Sequence, residues 1–171
     1  LDLLSGGVNR AALNEFWTSL LISFQLSLLV FLQWPLGKIL VNYKVKNILK
    51  LSIMIYCLGC FFIAVSGIWS KGIILVIIGQ LALTFATAIF LPTAPEAIIR
   101  YSPDGKRGIG VAIFSQCFAI SAILTPPFAG FLLDTQGNSF IIWIAVTLIC
   151  LVLNFLIRLE KEDPLKFGTY E

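Results

Sequence analysis

Five stretches of this chain contain no Asp, Glu, Lys or Arg: residues 16–37, 51–70, 72–95, 108–133 and 135–157. Each is about 20 to 26 residues long, and a helix rising 1.5 Å per residue needs about 20 to cross the ~30 Å hydrocarbon layer of a bilayer. In that layer no water is present to satisfy backbone N–H and C=O groups, so a spanning segment must bond to itself as a helix or close into a barrel. Barrel strands are shorter and alternate apolar with polar residues. Segments such as GIILVIIGQLA (72–82) are apolar all round. The fold class expected is therefore all-α, a polytopic membrane protein with five transmembrane helices. The last helix is placed at 138–157, after an external turn at 134–139.

Composition agrees. Charged residues are 12% of the 171, against roughly 25% in soluble domains, and hydrophobic residues are 58%. An ordinary cytosolic domain and a disordered chain are both excluded. A net charge of +3 gives no reason to expect nucleic acid as a partner; the lipid bilayer is the partner expected. The chain begins at Leu1 with no signal-like leader, and it is read as a piece of a longer protein.

The cations predict the direction of insertion. An external amino terminus (1–15) leaves Arg10 and Lys71 outside. It puts Lys38, Lys44, Lys46 and Lys50 in a basic cytoplasmic loop (38–50), Arg100, Lys106 and Arg107 in a second (96–107), and Arg158, Lys161 and Lys166 in a cytoplasmic tail (158–171). Trp17, Trp34, Trp69 and Trp143 fall near span ends, where an indole prefers the headgroup zone.

Little here suits covalent chemistry. The chain has no His, no span centre carries a charge, and no nucleophile–base set is visible. The expectation is a protein that is not an enzyme, with no cofactor, no catalytic residue and no metal site. Cys57 and Cys60 form a CxxC inside an apolar tract, which reads as small packing residues beside Gly59 rather than as a redox or zinc motif. Glu96 and Arg100 stand at i, i+4, where an exposed pair adds only ~0.3–0.5 kcal/mol of local helix support.

What remains is uncharged polarity inside the spans. Gln80, Thr84 and Thr87 lie on one stripe of the third span. Gln25 is near the centre of the first, with Gln33 beyond it. Ser115, Gln116, Ser121 and Thr125 precede Pro126–Pro127 in the fourth. A Gln facing lipid leaves its amide unpaired, so these groups point at other helices or at a cavity. Ser and Thr can bond back to the carbonyl one turn earlier, and interhelical packing is the favoured reading for them. For Gln25, Gln80 and Gln116 the residues leave both readings open, helix contact or substrate cavity. Pro92, Pro95, Pro126 and Pro127 are expected to kink or interrupt the third and fourth spans. Gly130 and Gly137 would permit close helix approach and a tight turn.

Residues 33–47, 103–110 and 125–137, taken in order, resemble segments of the major facilitator superfamily of secondary transporters. The run 33–47 (QWPLGKILVNYKVKN) resembles its glycine-plus-basic loop through Gly37 and the trailing cations, although Val41 or Asn42 stands where that motif has Asp. The run 103–110 (PDGKRGIG) resembles the entry to its eleventh helix through Arg107, Gly108 and Gly110. The run 125–137 (TPPFAGFLLDTQG) resembles the end of that helix through Pro127, Gly130, Asp134 and Gly137. The likeness extends from Leu13 to about Leu159. It implies that the five spans are helices eight to twelve of a twelve-helix fold, and that the chain's partner is the missing amino-terminal bundle of the same protein.

The pattern is most similar to the drug:H+ antiporter branch. That implies multidrug efflux by alternating access across a bacterial inner membrane, with a small-molecule substrate. The eighth, tenth and eleventh helices of such a fold line the cavity and the ninth and twelfth are peripheral. Gln25, Gln80, Thr84, Thr87, Gln116 and Ser121 are then candidate cavity residues. Gly37, Lys38, Lys44, Lys46, Arg107 and Gly108 are candidate gating-loop residues, and the 38–50 loop would meet anionic lipid or the partner bundle. Two rivals remain: a non-transporting scaffold or receptor bundle, whose polar stripe is wholly used in helix contacts, and a membrane-embedded enzyme, disfavoured for want of His and mid-span acids.

Overall fold

In a computed structural model, residues 12–40, 42–69, 72–103, 105–136 and 140–159 are described. The expectations for residues 1–11, Lys71, Gly137 and the tail beyond Leu159 lie outside them, as do those for the side chains of Asp134 and Arg158. Five helices follow one another: α1 (Glu15–Leu40), α2 (Val45–Ser66), α3 (Ile73–Tyr101), α4 (Arg107–Gln136) and α5 (Phe140–Leu159). All five are long and apolar enough to cross a membrane.

The helices run further than the charge-free tracts on one side. At 1.5 Å per residue the 29 residues of α3 span about 44 Å, enough to cross the headgroups as well as the hydrocarbon. Residues expected in basic loops are consequently helical. Gly37 and Lys38 lie in the last turns of α1, Lys46 and Lys50 in the first turns of α2, and Arg107 and Gly108 in the first turn of α4. The α1–α2 connection shrinks to residues 41–44, with Lys44 as the extended N-cap of α2.

Proline does not break these helices. Pro35, Pro92, Pro95, Pro126 and Pro127 all lie inside helices, so the expected ending of the third span and interruption of the fourth are not observed. Each proline removes one backbone bond, whereas a broken helix would bare several groups to hydrocarbon.

The core lies between α2, α3 and α5. Cys60, Ile63 and Leu83 are buried together, with Tyr56, Trp143 and Val146 packed against them. Trp143 is therefore as much a packing residue as an interfacial one. Glycine sets the closeness of α2 and α3. A Cβ on Gly79 would lie 2.6 Å from Cγ1 of Ile63 and 3.0 Å from the carbonyl oxygen of Gly59, and one on Gly59 would lie 3.1 Å from the carbonyl oxygen of Gly79. The expected packing role beside Gly59 is met by Cys60. Near that crossing the Ser52 hydroxyl donates to the Ala86 carbonyl across the two helices at 2.9 Å.

On the other side of α2, the Asn154 amide of α5 donates to the Lys50 carbonyl at 3.3 Å, and the Cys57 thiol lies 3.8 Å from the Thr147 carbonyl oxygen. These pairings make α2 antiparallel to both α3 and α5. α1 lies along α3, and Thr18 is its buried residue among those described. α4 meets α3 near their shared end, where Gly110 faces Ile98 and Ser102, and no described side chain of α4 is buried. Gly105, at φ 82°, makes the turn between them. Gly130 has open space around it, so no close helix approach is built on it.

This alternation of direction collects the charge. Lys38, Lys44, Lys46, Lys50, Arg100, Lys106 and Arg107 all sit at one end of the helices, and the backbone of residue 158 ends α5 on the same side. Glu96 binds Arg100 at that end at 2.6 Å, with both side chains about half exposed.

Candidate substrate cleft between α1 and α3

α1 and α3 run in the same direction and leave a narrow cleft along their contact, lined by Leu21, Phe24 and Gln25 from α1 and by Ile77, Gln80, Leu81 and Thr84 from α3. The spacing follows from helical geometry. Residues 21 and 25, and 77, 81 and 84, repeat every three or four positions, so one face of each helix supplies the whole lining. Gln25, Gln80 and Thr84 are brought together here. The walls Leu21, Phe24, Ile77 and Leu81 are missed by a reading of polarity alone, although their positions one turn from, or next to, the two glutamines carry the signal.

The three polar groups are in different states. The Thr84 hydroxyl donates to the Gln80 carbonyl at 2.7 Å, and the side chain is 2% exposed. Thr84 is thus satisfied within its own helix. Gln25 and Gln80 are half-buried, and among the described residues neither side-chain amide has a hydrogen-bond partner. Both amides are therefore available to a group that enters the cleft. The space between the two helices is about 20 Å³. That is room for one water, or for one end group of a larger molecule, and not for a whole substrate.

The rest of the stripe does not join them. The Thr87 hydroxyl donates to the Leu83 backbone carbonyl at 2.8 Å, and its side chain lies beside Tyr56 of α2 and does not line the cleft. Gln116 and Ser121 lie exposed on α4, which does not reach the cleft. Ser115 bonds back to the Val111 carbonyl at 3.0 Å. A larger recess of about 500 Å³ beside Leu124, Thr125, Pro127, Phe128 and Phe131 is bounded by α4 alone, so it is a hollow on one helix surface. Of the proposed gating group, Lys38 holds its ammonium 4.0 Å over the Trp34 ring one turn earlier. Gly37 and Gly108 have nothing within 4 Å of where a Cβ would stand. Among the described residues no group of three or more His, Cys, Asp or Glu is placed to hold a metal ion.

Five helices long and apolar enough to cross a membrane, with uncharged polar side chains at one narrow cleft, mark an integral membrane protein. The family model described as Major Facilitator Superfamily matches residues 10–169, and the chain belongs to that superfamily of transporters. Neither the curated proteins nor the solved structures gave a match.

Proposed function

We propose that this chain forms helices eight to twelve of a proton-driven exporter of small amphipathic molecules, set in a bacterial inner membrane with its tail in the cytoplasm. The observation that carries the reading is the pair of amides, Gln25 and Gln80, facing one cleft without protein partners among the described residues. A scaffold would use its polar groups in helix contacts. The hydroxyls of Thr84 and Thr87 are satisfied by backbone carbonyls of their own helix, and the side-chain amides of the two glutamines have no such partner among the described residues.

Family membership supports transport, and the gathering of cations at one helix end supports a cytoplasmic location for that end. In this reading the bundle rocks against an amino-terminal bundle around a site near the bilayer midplane, and no covalent step is involved. The coupling carboxylate belongs to that other bundle, since no described span centre here is charged.

The deciding experiment is transport by the intact protein carrying Gln25→Ala or Gln80→Ala. A changed substrate range or a weakened apparent affinity is expected, and unchanged values for both variants remove the pair from the substrate path. Labelling of Gln80→Cys by N-ethylmaleimide separates the scaffold reading. Reaction in one conformational state is expected of a transporter, and protection throughout the cycle is expected of a scaffold.

A further inference from the structure

Resting on that reading, we infer that Gln25 and Gln80 together recognise one uncharged group of the substrate that both donates and accepts hydrogen bonds, such as a carboxamide or a hydroxyl. Each amide offers an N–H donor and a carbonyl acceptor, and both belong to the same cleft. Nothing among the described residues consumes either. The neighbouring Thr84 hydroxyl spends its proton on the backbone carbonyl of Gln80, so the glutamine side chains are left as the cleft's free donors.

Along α1 and α3, no charged residue among the described ones stands closer than about 15 Å to either glutamine. Along α1, Glu15 is ten residues from Gln25, about 15 Å, and Lys38 is thirteen away, about 20 Å. Along α3, Glu96 is sixteen residues from Gln80, about 24 Å, and it is already bonded to Arg100. A bare ion entering an apolar cleft would meet no counter-charge, whereas a neutral polar group meets matched partners. The space of about 20 Å³ between the two helices has room for one such functional group. One functional group replaces the one water the cleft can hold, while Phe24, Ile77 and Leu81 accept its apolar flank. A site built to hydrogen-bond a neutral group discriminates against molecules lacking it, because its own amides are then left unpaired.

Two probes divide the chemistry. Chloramphenicol is uncharged and carries an amide and hydroxyls; tetraphenylphosphonium is a cation without donors or acceptors. Both are to be followed in proteoliposomes of the full-length protein, with Gln25→Met, Gln80→Met and Gln80→Glu. The methionine variants are expected to lower chloramphenicol transport roughly tenfold, the equivalent of one well-made hydrogen-bond pair, and to leave tetraphenylphosphonium within about twofold. Gln80→Glu is expected to reverse the preference, and it serves where a methionine variant does not reach the membrane.

Equal loss of both probes in variants that melt as the parent does, or no loss of chloramphenicol, overturns the inference and leaves the transport reading standing. Failure of the parent to move either probe across an imposed proton gradient overturns the export reading and the inference with it.

Discussion

At Gly79 one methyl group decides how close two helices can lie. Its added Cβ would sit 2.6 Å from an Ile63 side-chain carbon and 3.0 Å from a backbone oxygen that cannot move without shifting α2. Gly79→Ala is expected to destabilise the protein by about 1–3 kcal/mol, read as a lowered midpoint in detergent denaturation. Gly37 makes the contrast. It is the residue that carries the family likeness in the first basic segment, yet it stands in helix with open space around it. Gly37→Ala should leave stability unchanged or raise it by up to about 1 kcal/mol, the ordinary gain of Ala over Gly in a helix. A Gly37→Ala protein that is as stable but transports poorly would place its role in a contact made during the cycle. A destabilised one would contradict the open space.

At the scale of the elements, α2 is held from both sides by single polar groups in an otherwise apolar interface. Ser52 reaches α3, and Asn154 reaches α2 from α5. Such bonds average about 0.6 kcal/mol in membranes, because the separated helices also find partners. Ser52→Ala and Asn154→Leu should each cost about that much, and the double variant about the sum, since the two bonds share no partner group. Equilibrium unfolding in mixed micelles measures all three. A cost several times larger would mean that these bonds, rather than the Gly59–Gly79 approach, position the helices.

The existence of each element is legible because absence of charge over 20 or more residues is a direct statement about solvent. Element ends are less so. Charge marks where a chain leaves the hydrocarbon, and a helix continues past that plane for as long as its carbonyls find donors, which is why Gly37, Lys38, Lys46, Arg107 and Gly108 are helical. The prolines invite a reading as breaks for a related reason. That reading counts their cost against water, where a broken helix is cheap, and not against lipid.

For the whole molecule, the consequence of five alternating helices is one cationic end. If that end faces the cytoplasm, a fluorescent protein that folds only there, fused after Glu171, should be bright, and alkaline phosphatase at the same site should be inactive. The opposite pair of results would invert the topology.

The sequence by itself determined the medium, the number of helices and the end at which cations gather, because each depends on runs of residue type along the chain. It also marked Gln25, Gln80 and Thr84 as polar groups needing an explanation. Only the tertiary structure decided which of them meet. A stripe on one helix names several possible neighbours, and the choice depends on which helix lies against it. Gln80 and Thr84 turn to α1, Thr87 turns to Tyr56, and Gln116 stays exposed on a helix that packs only at its end. The physical reason is that solvent preference is summed over a segment, whereas a site is a meeting of side chains from segments far apart in the chain. Here that meeting is fixed by two glycines that let α2 and α3 close together, and by the side of α3 this leaves open to α1.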